Sequence, residues 1–222
     1  MERGDGALRQ ILKKTHFSPN DILKLARDVV DGGCALEEAG LVHRDGKPEN
    51  LVKVSDQDGN YTWKKVDFGL ASKEGSPLKN EGTTTYRSPE SYGGTNPEDY
   101  HTSSKQDVFS DGLIIAETLL TLLPDDPERP TTIIHANNAP PQTSLDSDVL
   151  HAKRCSPETL MIRVATKYEE LFYTPAVTAL QDVKRQFPES APLVDLAIRM
   201  IDKNPENRPR FSECRRFLER IS

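Results

Sequence analysis

No run of about 18 apolar residues occurs in the 222-residue chain, so the sequence offers no candidate for a membrane-spanning helix. The N-terminus carries no apolar core of the kind that marks a secretory signal. A basic excess, the electrostatic footprint of nucleic-acid binding, is absent: the formal charge is −6. Cysteine is scarce, and Cys34, Cys155 and Cys214 are odd in number and far apart. They read as reduced thiols of an intracellular, cytoplasmic protein rather than as a disulfide frame. No Cys or His spacing suits a metal, and His16, His101, His135 and His151 are scattered as surface or packing residues would be. There is no internal repeat. What is present is charge, at 29% of residues, in a chain long enough for one substantial domain or large lobe with a real core.

The stretch Leu41-Val-His43-Arg44-Asp45-Gly46-Lys47-Pro48-Glu49-Asn50-Leu51-Val52 sets three kinds of polar group in one short loop between apolar pairs. Asp45 can accept a proton, Lys47 brings a positive charge, and Asn50 offers a carbonyl oxygen. The combination suits phosphoryl transfer, in which a protein mainly positions groups and neutralises charge. Val66-Asp67-Phe68-Gly69 follows, with Asp67 placed 22 residues after Asp45. Between them, Leu51 to Val54 predicts a strand, Asp56 to Asn60 a turn and Tyr61 to Val66 a return strand. That hairpin would bring Asp67 back beside Asn50. A carboxylate and an amide oxygen would then converge as hard ligands for magnesium.

Three further strings complete a set. They are Gly82-Thr83-Thr84-Thr85-Tyr86-Arg87-Ser88-Pro89-Glu90, Asp107-Val108-Phe109-Ser110-Asp111-Gly112 and Asn204-Pro205-Glu206-Asn207-Arg208-Pro209. With the H-R-D-x-x-x-x-N spacing of residues 43–50 and the Asp-Phe-Gly of residues 67–69, they occur in the order found in eukaryotic-type serine/threonine protein kinases. The sequence resembles that family over nearly its whole length. The resemblance implies ATP- and magnesium-dependent transfer to a serine or threonine of a protein substrate. Asp45 would orient or deprotonate the hydroxyl, and Lys47 would steady the phosphate. Asn50 and Asp67 would hold magnesium, and Val52 would form the floor under the adenine. Thr83 would hydrogen-bond Asp45 and Lys47. Asp107 would hold the catalytic-loop backbone, and Glu90 with Arg208 would form a buried structural ion pair. His43 and Phe68 would pack between the two loops. Arg44 is either the partner of an activation-segment phosphate or a structural donor, since no hydroxyl stands near Lys79-Asn80-Glu81. Glu49 is either a reader of a basic substrate residue or a loop solvator. Gly46, where the family usually has a bulky apolar residue, is expected to loosen the loop.

The expected fold is mainly α. It is a protein-kinase-like C-terminal lobe, a helical bundle with a small β-hairpin carrying the catalytic and magnesium loops. Residues 1–222 would form this one domain, with a Pro- and Asp-rich loop insertion at about 124–157. Ser18, Pro19 and Asp21 start a helix whose stripe is Ile22, Leu25, Ala26, Val29 and Val30. Gly32 and Gly33 are expected to weaken it, and Gly40 to end it. Phe109 to Leu123 is apolar nearly all round and predicts a buried helix. Further helices are expected at about 157–167, 175–187 and 191–203, with a last one through Phe211, Cys214, Phe217 and Leu218. A short helix is expected at Leu8, Ile11 and Leu12.

Residues 1–8 resemble the kinase hinge, so the chain is expected to begin inside a kinase domain. The family's glycine-rich loop and strand lysine would then come from upstream sequence or a partner chain. Two functions of different class remain at this point: a kinase catalytic lobe, and a truncated pseudokinase acting as a binding or regulatory module. A small-molecule kinase of the aminoglycoside type shares only the H-x-D-x-x-x-x-N pattern and lacks the later strings. Neither nucleic acid nor membrane is expected as a partner.

Overall fold

The computed structural model describes residues 4–78, 81–92, 101–124 and 173–221. A buried helix lies at the centre, and the segments carrying Asp45 and Tyr86 pack along one side of it. In chain order the elements begin with strand β1 (Gly6–Ala7), α1 (Leu8–Leu12), α2 (Pro19–Glu38) and β2 (Leu41–Val42). A one-turn 3-10 helix (Pro48–Asn50) leads into β3 (Leu51–Ser55), β4 (Tyr61–Lys65) and β5 (Ser72–Lys73). The long helices resume with α3 (Ser104–Leu120), α4 (Thr174–Gln186), α5 (Ala191–Met200) and α6 (Phe211–Leu218).

Helix α2 begins as its residues dictate. Ser18 and Asp21 form a reciprocal capping box, Pro19 occupies the first turn, and the chain leaves through Gly40 at φ 66°. Its stripe of Ile22, Leu25, Ala26, Val29 and Val30 is wholly buried. Helix α3 starts earlier than its apolar run suggests, because Ser103 and Gln106 form a second capping box ahead of Asp107. Helices α2, α4 and α5 pack around α3, and α6 closes against α2. The expected helix at 157–167 and the insertion at about 124–157, beyond Pro124, lie outside the described residues, as does Cys155. Burial pushes the Cys34 thiol up to about 11 and the Cys214 thiol up to about 12, so both stay protonated at neutral pH. Among the described residues no helix is long and apolar enough to cross a membrane.

The hairpin forms at the expected place in the chain. Leu51 lies opposite Lys65 and Ser55 opposite Tyr61, with β1 on the other edge of β3. The Asp56 carboxylate accepts from the Asp58 and Asn60 amides, and Gly59 takes φ 85° at the tip. A separate pairing of β2 with β5 ties the start of the loop carrying Asp45 to the segment after Asp67.

Gly33 departs from expectation. It does not simply weaken α2: a Cβ there would stand 2.2 Å from the Phe211 ring, so the missing side chain admits α6. A Cβ on Gly32 would meet only the Lys65 stem, at 3.5 Å. Gly33→Ala is therefore expected to destabilise the chain by about 1–3 kcal/mol through overpacking. Gly32→Ala is expected to stabilise it by up to about 1 kcal/mol. Urea denaturation of both variants checks the contrast, and equal effects would contradict it.

Candidate active site

The loop carrying Asp45 is held from beneath by α3. The Asp107 carboxylate, 2% exposed as a residue, accepts from the His43 amide at 2.6 Å and the Arg44 amide at 2.9 Å. Arg44 sits at φ 70°, a left-handed conformation costly for a residue with a Cβ. His43 braces the turn from inside. Its Nδ1 accepts from the Asp45 amide at 3.3 Å, which leaves Nε2–H to donate to the Val66 carbonyl at 3.0 Å. Burial lowers the His43 pKa in spite of Asp107, in keeping with this neutral form.

Asp45 is 8% exposed, and its carboxylate takes four hydrogen bonds. Thr83 donates to Oδ1 from its amide at 2.9 Å and its hydroxyl at 2.8 Å. Lys47 Nζ at 2.6 Å and Asn50 Nδ2 at 3.0 Å donate to Oδ2. Burial alone would raise the Asp45 pKa, but the Lys47 and Thr83 hydrogen bonds outweigh it and hold the carboxyl below its ordinary range. Lys47 also meets Thr83 Oγ1 at 2.9 Å, so Asp45, Lys47 and Thr83 form a closed triangle. Thr83 reaches this triangle because Gly82 before it has no side chain. A Cβ on Gly82 would lie 2.6 Å from the Arg44 carbonyl oxygen, and φ there is 98°.

Asp67 comes back to the loop through the hairpin, the Val66 amide donating to the Asn50 carbonyl at 3.0 Å. Asn50 gives its Nδ2 to Asp45 O and Oδ2, which turns its Oδ1 away from that carboxylate. Asp67 is exposed, at φ 62°, with its Oδ1 3.4 Å from the Gly69 amide. Two oxygen-bearing side chains thus stand at adjoining ends of the hairpin. Val52 lies on β3 opposite Ala7 and Lys64, and a Cβ on Gly4 would come within 2.2 Å of it, so the segment ahead of β1 runs directly over it. Phe68 packs its ring 4.9 Å from that of His43 and remains half exposed, the one exposed large hydrophobic among the described residues.

A protein kinase domain model matches residues 1–217. The chain belongs to the protein kinase family. Similar proteins include the serine/threonine-protein kinase PknL of Mycobacterium tuberculosis, 35% identical over 120 residues, which span 51% of this chain and 28% of that protein. A probable serine/threonine-protein kinase, pknA2, of Bifidobacterium longum is 30% identical over 123 residues, 53% of this chain and 15% of its own length. The human ribosomal protein S6 kinase alpha-4 is 43% identical over 70 residues, 31% of this chain and 9% of its own length. The chain therefore spans under a third of each of these relatives.

The family's structural ion pair is present. Arg208 uses all five N–H donors: on Glu90 at 2.6 and 2.8 Å, and on the carbonyls of Asp202, Lys105 and Lys203. Arg44 rests on the Leu70 carbonyl at 3.3 Å and is paired with Glu81 at 3.5 Å, so a carboxylate of the chain itself faces it. Glu49 is not merely solvated; it is held by Arg9 at 2.8 Å.

Gly46 corrects its expectation. A Cβ there would meet Ser110 Cβ at 2.8 Å, so the glycine lets the loop settle onto α3 instead of loosening it. Beneath it Lys65 and Asp111 form a buried ion pair at 2.5 Å, with Lys65 also 5.2 Å from the centre of the Phe211 ring. Nothing local in the sequence marks this pair, because its members are 46 residues apart. Burial pushes the Asp111 carboxyl up to about 6 despite Lys65.

Two outcomes follow for this pair. Lys65→Met is expected to cost about 3–5 kcal/mol, and Lys65→Met with Asp111→Leu to recover most of that, as a buried ion pair exchanged for apolar residues does. Because the folded carboxyl, at about 6, holds its proton more tightly than its ordinary value of 3.8, stability attributable to Asp111 rises as pH falls from about 6 toward 4. Thermal and urea unfolding across that range check both, and the double variant should lose the slope.

Proposed function

We propose that the chain serves transfer of the terminal phosphoryl group of ATP, with magnesium, to a serine or threonine hydroxyl of a protein, residues 1–222 acting as the C-terminal lobe of a kinase-like domain. The observation that carries this reading is the triangle of Asp45, Lys47 and Thr83, which sets an ionised carboxylate beside a cation at 2.6 Å. Asp45 receives the hydroxyl and orients or deprotonates it. Its two oxygens offer about four lone-pair sites, and four donors already use them. Lys47 Nζ, on turning from Oδ2 to a phosphate oxygen, releases one of these for the hydroxyl proton. Thr83 keeps Oδ1 in place during that exchange. Bound magnesium supplies charge neutralisation at the phosphates.

The donor set fits the metal. Asn50 Oδ1 and the Asp67 carboxylate are hard oxygens, and magnesium commonly takes one or two protein oxygens with phosphate and water completing six. Val52 lies on the strand that leads out of the catalytic turn and lines the adenine side. The retention of a charged, hydrogen-bonded Asp45 favours catalysis over a purely regulatory role.

The test is phosphate transfer from labelled ATP with magnesium, by the purified chain onto itself and a basic protein. Asp45→Ala is expected to lower transfer by about 100-fold or more, the scale of a lost acid–base group. Asp67→Ala should do the same and weaken the response to magnesium. Thr83→Val should lower kcat while leaving the fold intact, since it removes one hydroxyl from the triangle. Equal transfer by wild type and Asp45→Ala would refute the proposal.

A further inference from the structure

We propose that Thr102 is a positioning residue: its buried hydroxyl and its backbone clasp the segment that follows Asp67 to the first turn of α3, and so hold Asp67 in place relative to the loop carrying Asp45. The inference deepens the kinase reading of the site, on which it rests, by naming what fixes the two halves of the site to one another.

Asp67 is held weakly by its own side chain. Among the described residues its carboxylate has one hydrogen-bond contact, the Gly69 amide at 3.4 Å, and its backbone sits at φ 62°. A residue in that conformation stays there only because the chain on either side keeps it there. Upstream, the Val66 amide is tied to the Asn50 carbonyl at 3.0 Å. Downstream, the Ala71 amide closes a turn on the Phe68 carbonyl at 3.0 Å, and β5 follows. One edge of this downstream stretch is secured by β2, with which β5 pairs, and by the Gly40 carbonyl, which takes the Glu74 amide at 2.9 Å. The other edge is secured by Thr102.

Thr102 is buried and spends every hydrogen-bonding group it has on residues 73–76. Its hydroxyl donates to the Lys73 carbonyl at 2.8 Å and accepts from the Ser76 amide at 3.2 Å. Its amide donates to the Ser76 carbonyl at 2.8 Å, and its carbonyl accepts from the Gly75 amide at 2.8 Å. His101 pairs with Pro77 in an antiparallel bridge. The hydroxyl thus spans both ends of the turn that Ser76 closes on Lys73, with Gly75 at φ 77° inside it. The next residue, Ser103, caps α3, and the Ser104 amide donates to the Glu74 carboxylate at 3.3 Å, where a helix N-terminus favours negative charge. Asp107, in the same first turn, holds the His43 and Arg44 amides. One turn of helix therefore grips both sides of the site: Asp107 takes the loop with Asp45, and Thr102 takes the stretch after Asp67. A valine would fill the same space but would remove the hydroxyl that bridges Lys73 and Ser76, and a buried polar group that loses its partner favours the open state of its segment.

The experiment is amide hydrogen exchange of the full chain, read residue by residue by NMR, on wild type, Thr102→Val and Thr102→Ser. Thr102→Val is expected to speed exchange about tenfold at Gly75 and Ser76 and by about threefold or more at Ala71, whose amide closes the turn after Asp67. The Asn60 amide, held by Asp56 in the hairpin tip, should not change. Thr102→Ser keeps the hydroxyl and should exchange as wild type does. Thr102→Ala carries the same expectation as the valine variant and serves if that variant does not fold. In the transfer assay, Thr102→Val should need about tenfold more magnesium for half-maximal rate, the scale of a lost outer-shell partner of a metal site. Acceleration confined to Gly75 and Ser76, equal acceleration at Asn60, no acceleration at all, a serine variant that behaves as the valine one, or an unchanged magnesium requirement in a chain that does transfer would each overturn the proposal. Exchange is read without ATP. A chain that moves no phosphate yet shows the expected exchange pattern would refute the proposed activity and not the clasp.

Discussion

The catalytic loop keeps its shape because a carboxylate buried in α3 holds two of its amides. Arg44 occupies the left-handed region, at a cost of about 1–3 kcal/mol for a residue with a side chain. Two hydrogen bonds to the Asp107 carboxylate offset that cost and turn the chain so that Asp45 leaves the loop toward Thr83. Everything at the site is placed relative to this anchor. His43 spans from the Asp45 amide to Val66, the hairpin returns Asp67 to the same place, and Gly82 passes close enough to the Arg44 carbonyl to deliver Thr83.

Asp107 is one member of a stripe. Helix α3 is buried along almost its entire length, yet Asp107, Ser110 and Glu117 recur on one side at helical spacing, with Asp111 beside them. Each is matched by a group on a functional segment. Asp107 takes the loop amides, Ser110 donates to the Tyr86 carbonyl at 2.9 Å, Asp111 pairs with Lys65 at the end of β4, and Glu117 meets Arg9 and Tyr86. An apolar stripe would have packed as well but would have fixed no register between these segments. Polar partners specify which residue meets which, since any slip leaves a buried donor or acceptor unmatched. The rest of the helix is apolar and supplies the burial that holds the stripe in place.

Features that depend on neighbours in sequence were legible before any coordinates. The capping box of Ser18 and Asp21, the turn at Asp56–Asn60 and the two strands around it all follow from local chemistry, and the hairpin they make implies the return of Asp67 toward Asn50. Thr83, Asp107, Glu90 and Arg208 stand in strings whose order matches the family's, and each meets the partner that order implies. The capping box of Ser103 and Gln106 is equally local, but the apolar periodicity that marks the helix begins only behind it. The features not legible were those set by distant partners. Gly33 and Gly46 look like weak points in isolation, and only the approach of Phe211 and Ser110 shows them to be points of contact. Lys65 with Asp111, and Arg9 with Glu49 and Glu117, join residues far apart in the chain, so no window on the sequence contains both ends.

The site as it stands satisfies its own charges. Lys47 lies on Asp45, Arg9 on Glu49 and Glu117, and Glu81 on Arg44. Each pair holds a group that a phosphoryl-transfer reaction could otherwise engage, and the pairs differ in how readily they exchange. Arg44 with Glu81 is long at 3.5 Å, and Glu81 is 43% exposed, so it is the loosest of the three. Lys47 with Asp45 is short and largely shielded, yet Lys47 has a flexible stem and Thr83 as a second partner, so it can swing without leaving Asp45 bare. Arg9 is committed at every nitrogen to a site whose deepest member, Glu117, is buried, and moving it would strand that carboxylate. The order of exchange therefore runs from Arg44 through Lys47 to Arg9. For the proposed transfer, the pair to exchange is therefore Lys47 with Asp45, since Thr83 holds that carboxylate while the lysine turns and the Arg9 contacts need not move.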